Sequence, residues 1–271
     1  MIKQSQVQEF LAELWQVSDE HGRTALPWRQ PLPDGSFDAY AVLVSEIMLQ
    51  QTQVSRVIPK YQAFLNLFPS IKTLAEADWP AVLHAWSGLG YNRRAKYLHE
   101  AAKILHSSRE PWSIEQLISL KGIGHNTAAA TLVYSYNQPH IFIETNIRTV
   151  YLQHFFPGDL VVTDVQIMQV LRETLDRDNP REFYWALMDY GAWLKRQGSG
   201  QLVRSKTYKK QSPFEGSKRQ LRGRILRELQ VVGAMQKRVL YDRLQDERID
   251  SVLKDMAGES LIRVRGNNVS L

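Results

Sequence analysis

The sequence predicts a mainly α protein that closes in a small α+β module, and three observations predict it. Apolar residues recur at the helical period of 3.6 through the first two hundred positions, with little of the two-residue alternation that marks strands. A stretch rich in Gly, Ser, Lys and Arg over 197–217 interrupts that pattern. Beyond it come three short helical patterns and then two strand-like runs flanking a Gly266-Asn267 turn.

In chain order, helices are expected over 5–17, 38–53, 54–68, 74–86, 93–106, 113–119, 125–136, 144–154, 164–175 and 181–196. Within 38–53, Tyr40, Leu43, Val44, Ile47 and Met48 form the apolar face, Asp38 is the expected N-cap, and Glu46, Gln50 and Gln53 form a polar stripe beside that face. Breaks are set by Pro69, Gly88, Gly90, Pro111, Pro139, Pro157, Gly158 and Pro180, which either lack a backbone donor or tolerate turn conformations. The closing module is expected as helices 218–231, 235–245 and 248–257, then strand-like 261–265 and 269–271. Three helices ending in a hairpin read as winged-helix-like, a form that serves nucleic-acid binding or protein interaction. The chain therefore divides into 1–196, a basic linker 197–217 and a module 218–271.

At 271 residues with 44% hydrophobic side chains, the chain can bury a sizeable core, and no apolar run is long enough to span a bilayer. The polar start Met-Ile-Lys-Gln-Ser-Gln lacks the features of a signal peptide, so a cytoplasmic protein is expected, with no membrane contact. Zero cysteines exclude disulfides and thiolate-held metals, and the 7 His show no paired ligand spacing, so no metal site is expected. The net charge of +6 is unevenly spread. Between Lys195 and Arg227 there are eleven Lys or Arg against one acid, Glu215, so this segment carries +10 and the rest of the chain sums to −4. Such a run is either a solvated surface or a strap laid along a polyanion, and the linker residues Arg204, Lys206, Lys209 and Lys210 are the expected contacts.

The richest stretch is Leu120-Lys-Gly-Ile-Gly-His-Asn-Thr127, which runs into an Ala-rich helix. Gly122 and Gly124 allow a tight turn, and the amides opening the following helix lack intrahelical partners, so a phosphate could sit there. About twenty residues on comes Ile143-Glu144-Thr145-Asn146-Ile147.

Together these stretches resemble the hairpin of the helix-hairpin-helix (HhH-GPD) DNA glycosylase superfamily. The resemblance covers about residues 20–196, and within the superfamily it points to adenine DNA glycosylases of the MutY type. Leu26-Pro-Trp-Arg29, Val44 to Val54 (VSEIMLQQTQV), Gly88-Leu-Gly-Tyr91 and Ala186-Leu-Met-Asp-Tyr-Gly191 carry it, in that family's order and near its spacing. The implied fold is two all-helical lobes with the base pocket between them, followed here by the winged-helix-like α+β module. The implied partner is double-stranded DNA containing a damaged or mispaired base.

Breaking a purine N-glycosidic bond needs a proton on the leaving base and negative charge near an oxocarbenium-like sugar. The resemblance makes Glu46 the general acid and base, Glu144 the sugar-stabilising carboxylate or transient nucleophile, and Asn146 the residue orienting water or carboxylate. Asn126 stands where bifunctional relatives carry a Schiff-base Lys, which implies a monofunctional enzyme without strong lyase activity. Gln51, Thr52 and Tyr91 match positions that wedge between bases, although Tyr91 also suits a core. Lys121, Gly122, Gly124, His125 and Thr127 form the hairpin expected against the DNA backbone, with Lys121 either a phosphate contact or solvated. A monovalent cation on the hairpin's backbone carbonyls is the only expected ion.

Four departures qualify the resemblance. Glu144 stands for the family's Asp, and Asn92 for a frequent second Tyr. The cluster cysteines give way to Leu194-Lys195-Arg196-Gln197, which implies a clusterless version. About 55 residues of winged-helix-like sequence replace the long domain that recognises 8-oxoguanine. The expected activity is excision of adenine opposite 8-oxoguanine or guanine. The alternatives are a uracil or thymine mismatch glycosylase, or a non-catalytic DNA-binding protein with a decayed site.

Overall fold

The computed structural model describes residues 2–159, 161–199, 204–206 and 213–271. In chain order the elements are α1 (Gln4–His21), a 3-10 turn (Pro27–Arg29), α2 (Ala39–Leu49), α3 (Val54–Leu67), α4 (Ile71–Glu76), α5 (Trp79–Ala85), α6 (Arg93–Leu105), α7 (Ile114–Ile118), α8 (His125–Tyr136), α9 (Thr145–Phe155), α10 (Asp164–Thr174), α11 (Pro180–Arg196), α12 (Lys218–Val232), β1 (Ala234–Gln236), α13 (Lys237–Leu244), α14 (Ile249–Gly258), β2 (Arg263–Arg265) and β3 (Asn268–Ser270). No described helix is long and apolar enough to cross a membrane.

Local chemistry sets most helix ends. Asp38 Oδ1 accepts from the amides of Tyr40 and Ala41 at 2.8 and 3.2 Å, the expected cap of α2. Thr163 and Gln166 close a capping box on α10, and Pro180 opens α11, where a missing amide costs nothing. The single helix expected over 74–86 is two helices. Asp78 turns its carboxylate to the amide of Ala81 at 2.8 Å and Pro80 follows at the first turn, so a new helix starts where the apolar period alone reads as continuous.

The chain forms two compact units. The first comprises the described residues of Met1–Glu46, Pro111–Ser119 and Ile123–Lys210. Its core joins Phe10, Leu14 and Val17 of α1, Val42 of α2, Ala130 and Val133 of α8, Val150 to Leu152 of α9 and Phe183 to Leu187 of α11. Gly191 lets α9 and α11 approach closely, since a Cβ there would lie 2.3 Å from the Asn146 carbonyl oxygen. That contact fixes the start of α9, where two expected site residues sit.

The second unit comprises the described residues of Ile47–Glu110, Leu120–Gly122 and Gln211–Leu271. It combines α3 to α6 with the C-terminal module. The module is winged-helix-like, with three helices and an antiparallel sheet in the order β1-β3-β2. Strand β1 takes residues 234–236, the last two of which the apolar pattern assigns to the opening of helix 235–245. Three residues are too few to show a strand period, and the strand exists because Met235 pairs with Val269 across the sheet. The module's core includes Leu83 of α5 together with Leu229, Leu240 and Leu253. Trp79 Nε1 donates to the Leu261 carbonyl at 3.0 Å, and Gln230 bonds both Ser87 and the Leu83 carbonyl.

Candidate active site

Glu46 and Glu144 both fall in the first unit. Glu46 lies on α2 one helical turn beyond the core residue Val42, and Glu144 is the N-cap residue of α9, following the buried Phe142 and Ile143. Each keeps a partial opening to solvent. Dense protein around Glu46 strips hydration from its charged form and pushes its pKa well up; repulsion from Glu144 adds to this, and Arg29 offsets it in part. Burial likewise raises Glu144, against the attraction of Arg148 and Lys195. The cations oppose the rise at Glu144, and Glu46 is the more strongly raised of the two.

Arg29 is held by Asp189. Its two terminal nitrogens donate to the two carboxylate oxygens at 2.7 and 3.0 Å, and Arg23 adds a backbone bond at 2.9 Å and an Nε bond at 2.6 Å. Burial alone would raise the pKa of Asp189, yet the bonds and charges of Arg29 and Arg23 hold it below the usual carboxylate value. The Leu-Pro-Trp-Arg and Leu-Met-Asp-Tyr-Gly stretches are thus the two halves of one buried ion pair. Both motifs are legible in the sequence and their pairing is not; the signal available was an Arg and an Asp each embedded in an apolar stretch.

Asn146 Oδ1 accepts from Lys195 Nζ at 2.6 Å, so a residue near the end of α11 reaches back to the start of α9. Lys195 carried no sequence signal beyond its place in the basic run. Burial lowers its pKa, as do the like charges of Arg23 and Arg148, while Glu144 opposes the shift. Asn126 donates from Nδ2 to the Ile143 carbonyl at 2.7 Å, and His125 Nε2 lies 2.9 Å from the Ile141 carbonyl. Both residues at the start of α8 therefore brace the segment that leads to Glu144. The carbonyl of Thr127 accepts from Thr131.

The two hairpin glycines differ. Gly122 has φ +79, and a Cβ there would lie 2.3 Å from Tyr97, so only glycine fits. Gly124, expected to serve the turn as well, has φ −85 and ψ 174, ordinary extended backbone capping α8. Its α-carbon faces open space. Lys121 is exposed.

In the second unit, Gln51 and Tyr91 both adopt left-handed backbone, with φ of 56 and 46. Arg94, which sequence reasoning missed, locks the two loops together. It donates to the carbonyls of Ile47, Met48 and Gln50 at 2.5 to 2.9 Å, to Thr52 Oγ1 at 2.9 Å and to the Gly90 carbonyl at 3.2 Å. Its burial pulls the guanidinium pKa down to about 10. The Tyr91 hydroxyl accepts from Arg219 of α12 at 2.7 Å, so the C-terminal module touches this loop directly. Of the linker residues, Arg204 donates to the carbonyls of Asp159 and Phe156, Lys206 is exposed, and Lys209 and Lys210 lie outside the described residues. No cluster of His, Cys, Asp or Glu suited to a metal occurs among the described residues.

Residues 44–177 match the family model of the HhH-GPD superfamily base excision DNA repair proteins. The chain is 36% identical over 180 residues to the adenine DNA glycosylase of Buchnera aphidicola subsp. Baizongia pistaciae, which covers 64% of this chain and 49% of that one. It is 36% identical to that of Mycolicibacterium smegmatis, covering 64% of this chain and 59% of the relative. To that of Mycobacterium tuberculosis it is 32% identical over 227 residues, covering 74% and 72%. The chain thus spans about half to three fifths of the first two relatives' length. In fold it is similar to a thermostable thymine-DNA glycosylase, with TM-score 0.56, 19% identity and coverage of 69% of this chain and 87% of that one. Endonuclease III trapped as a covalent intermediate with DNA gives TM-score 0.55 at 14% identity, covering 79% and 92%. The chain belongs to the HhH-GPD superfamily, on the side of the adenine DNA glycosylases.

Proposed function

We propose that this protein is a monofunctional DNA glycosylase of base excision repair. It flips a mispaired or damaged base out of double-stranded DNA and hydrolyses its N-glycosidic bond, with adenine opposite 8-oxoguanine or guanine as the leading substrate. The observation that carries the reading is the pair Glu46 and Glu144, two carboxyls in one unit whose surroundings give them different proton affinities.

Glu46 keeps its proton towards neutrality and delivers it to the departing purine. The resulting carboxylate then takes a proton from the attacking water. Glu144, favoured as the anion by Arg148 and Lys195, faces the positive charge that develops on the sugar. Asn146, tied to Lys195, orients the carboxylate or the water. The carboxamide of Asn126 is no amine nucleophile, and its bond to the Ile143 carbonyl gives it a bracing role instead. Gln51, Thr52 and Tyr91 fill the gap left by the flipped base, and the exposed hairpin residues with Lys206, Lys209 and Lys210 hold the phosphates. The enzyme works as a cytoplasmic, nucleoid-associated monomer. The one ion in this reading is a monovalent cation on the hairpin's backbone carbonyls, since a chain without cysteine offers no thiolates to an iron–sulfur cluster.

A base-release assay over duplexes with single lesions tests the reading: adenine opposite 8-oxoguanine or guanine, and uracil or thymine opposite guanine. Release of adenine by the wild-type protein, lost in Glu46→Gln, is the expected result. Release of a pyrimidine alone would replace the substrate, and no release from any duplex would replace the enzyme with a DNA-binding protein.

A further inference from the structure

The C-terminal module carries α13 and α14 in the order of a helix-turn-helix, whose second helix is the one that enters the major groove of DNA. Here that second helix is α14, and its charge is wrong for the task. Its charged residues are Asp250, Lys254 and Asp255, all exposed, and the net negative charge opposes an approach to phosphates. Both acids also hold cations of neighbouring helices, Asp250 with Lys237 at 3.6 Å and Asp255 with Lys218 at 3.7 Å. Glu259, directly after α14, pairs with Arg222 and Arg93.

The sheet of the same module is the opposite case. Strand residues alternate between faces, so Met235, Val264 and Val269 turn to the core while Arg263, Arg265, Gln236 and Asn268 share the outer face. All four outer residues are exposed, and none of the three strands contains an acid. Arg265, Asn268 and Gln236 stand in register across the three strands. The ion pairs among the described residues leave out Arg263 and Arg265, which lie about 7 Å apart along β2.

The basic face continues onto α6. Trp79 Nε1 holds the Leu261 carbonyl at 3.0 Å, two residues before Arg263, and Lys96 Nζ lies over the Trp79 ring at 4.8 Å. Burial lowers the pKa of Lys96, and the like charges of Lys103 and Arg263 add to this against Glu100. Exposed cations grouped without matching acids repel one another, and a polyanion laid across them relieves that repulsion.

We propose that this outer sheet face, anchored by Arg263 and Arg265 with Lys96 at its edge, binds the phosphate backbone of double-stranded DNA without reading sequence, while α14 stays outside the groove. The guanidinium forks suit phosphate oxygens, and the amides of Gln236 and Asn268 add N–H donors beside them. The inference rests on the duplex partner of the proposed function and goes beyond it to a second contact surface, independent of base excision.

The test uses the full chain and an undamaged DNA duplex, with affinity followed by fluorescence anisotropy over a range of salt. Each lost phosphate contact should flatten the slope of log K against log salt by about 0.9, which relative to 1 M salt amounts to about 8-fold in affinity at 0.1 M. Arg263→Gln combined with Arg265→Gln should therefore weaken binding by about 60-fold, equally for duplexes of different sequence. Thermal stability should not change, because both side chains are exposed. Lys254→Gln on α14 should leave affinity and slope at the wild-type values. An unchanged slope in the double variant overturns the inference, and so does a loss in Lys254→Gln as large as that of one arginine, which would put α14 in the groove. Binding needs no turnover, so the two readings fail separately. A chain that releases no base yet shows this salt response loses the proposed enzyme and keeps the DNA-binding sheet, and one that releases base with the slope unmoved does the reverse.

Discussion

Asp189→Asn should be among the most damaging single changes that keep side-chain shape. Asp189 is 2% exposed and receives four hydrogen bonds, two from Arg23 and two from Arg29, whose own side chain is 5% exposed. The amide cannot supply the charge, so Arg29 is left buried and uncompensated. Breaking a buried pair in this way costs about 3–5 kcal/mol, a large share of the roughly 5–15 kcal/mol that holds a protein folded. At about 2–4 °C per kcal/mol for a domain of this size, Tm should fall by on the order of 10 °C. Thermal unfolding followed by circular dichroism measures it. The pH dependence gives an independent check. Because the folded-state pKa of Asp189 is depressed, its stabilisation is complete above the usual carboxylate range and is lost as pH falls through the folded value. The gap between wild type and variant should therefore narrow on acidification. A gap of only a degree or two at neutral pH, or one that widens in acid, would refute the assigned energetics.

Glu46→Gln should lower base release by about 10²- to 10⁴-fold while leaving DNA affinity intact. The same variant should be more stable than wild type at neutral and higher pH, since a carboxyl whose folded pKa is raised weakens the fold as it ionises there. Glu144→Gln should nearly abolish turnover by removing the charge, and Glu144→Asp should slow it by drawing the carboxylate back; a faster Glu144→Asp protein would mark a partly decayed site. Borohydride should trap no covalent complex with abasic product, and the product strand should stay intact until heated in alkali. Lys206, Lys209 and Lys210 all changed to Glu should flatten the slope of log K against log salt by about 0.9 for each phosphate no longer neutralised, and an unchanged slope would turn the linker away from DNA.

Several features were legible in the sequence because they are local. Helix periodicity, the Asp38 cap, the glycine that turns at 122 and the three helices of the C-terminal module depend on neighbours a few residues apart. Glu46 and Glu144 were found through motif order alone, as residues with a chemistry but no environment. Only the tertiary structure brought Arg29 to Asp189, 160 positions on, and Lys195 to Asn146. It alone gave β1 a partner across the sheet. The reason is physical. A helix is specified by contacts one turn apart and shows in any window of the chain, whereas hydration and charge at a buried group depend on every element packed around it.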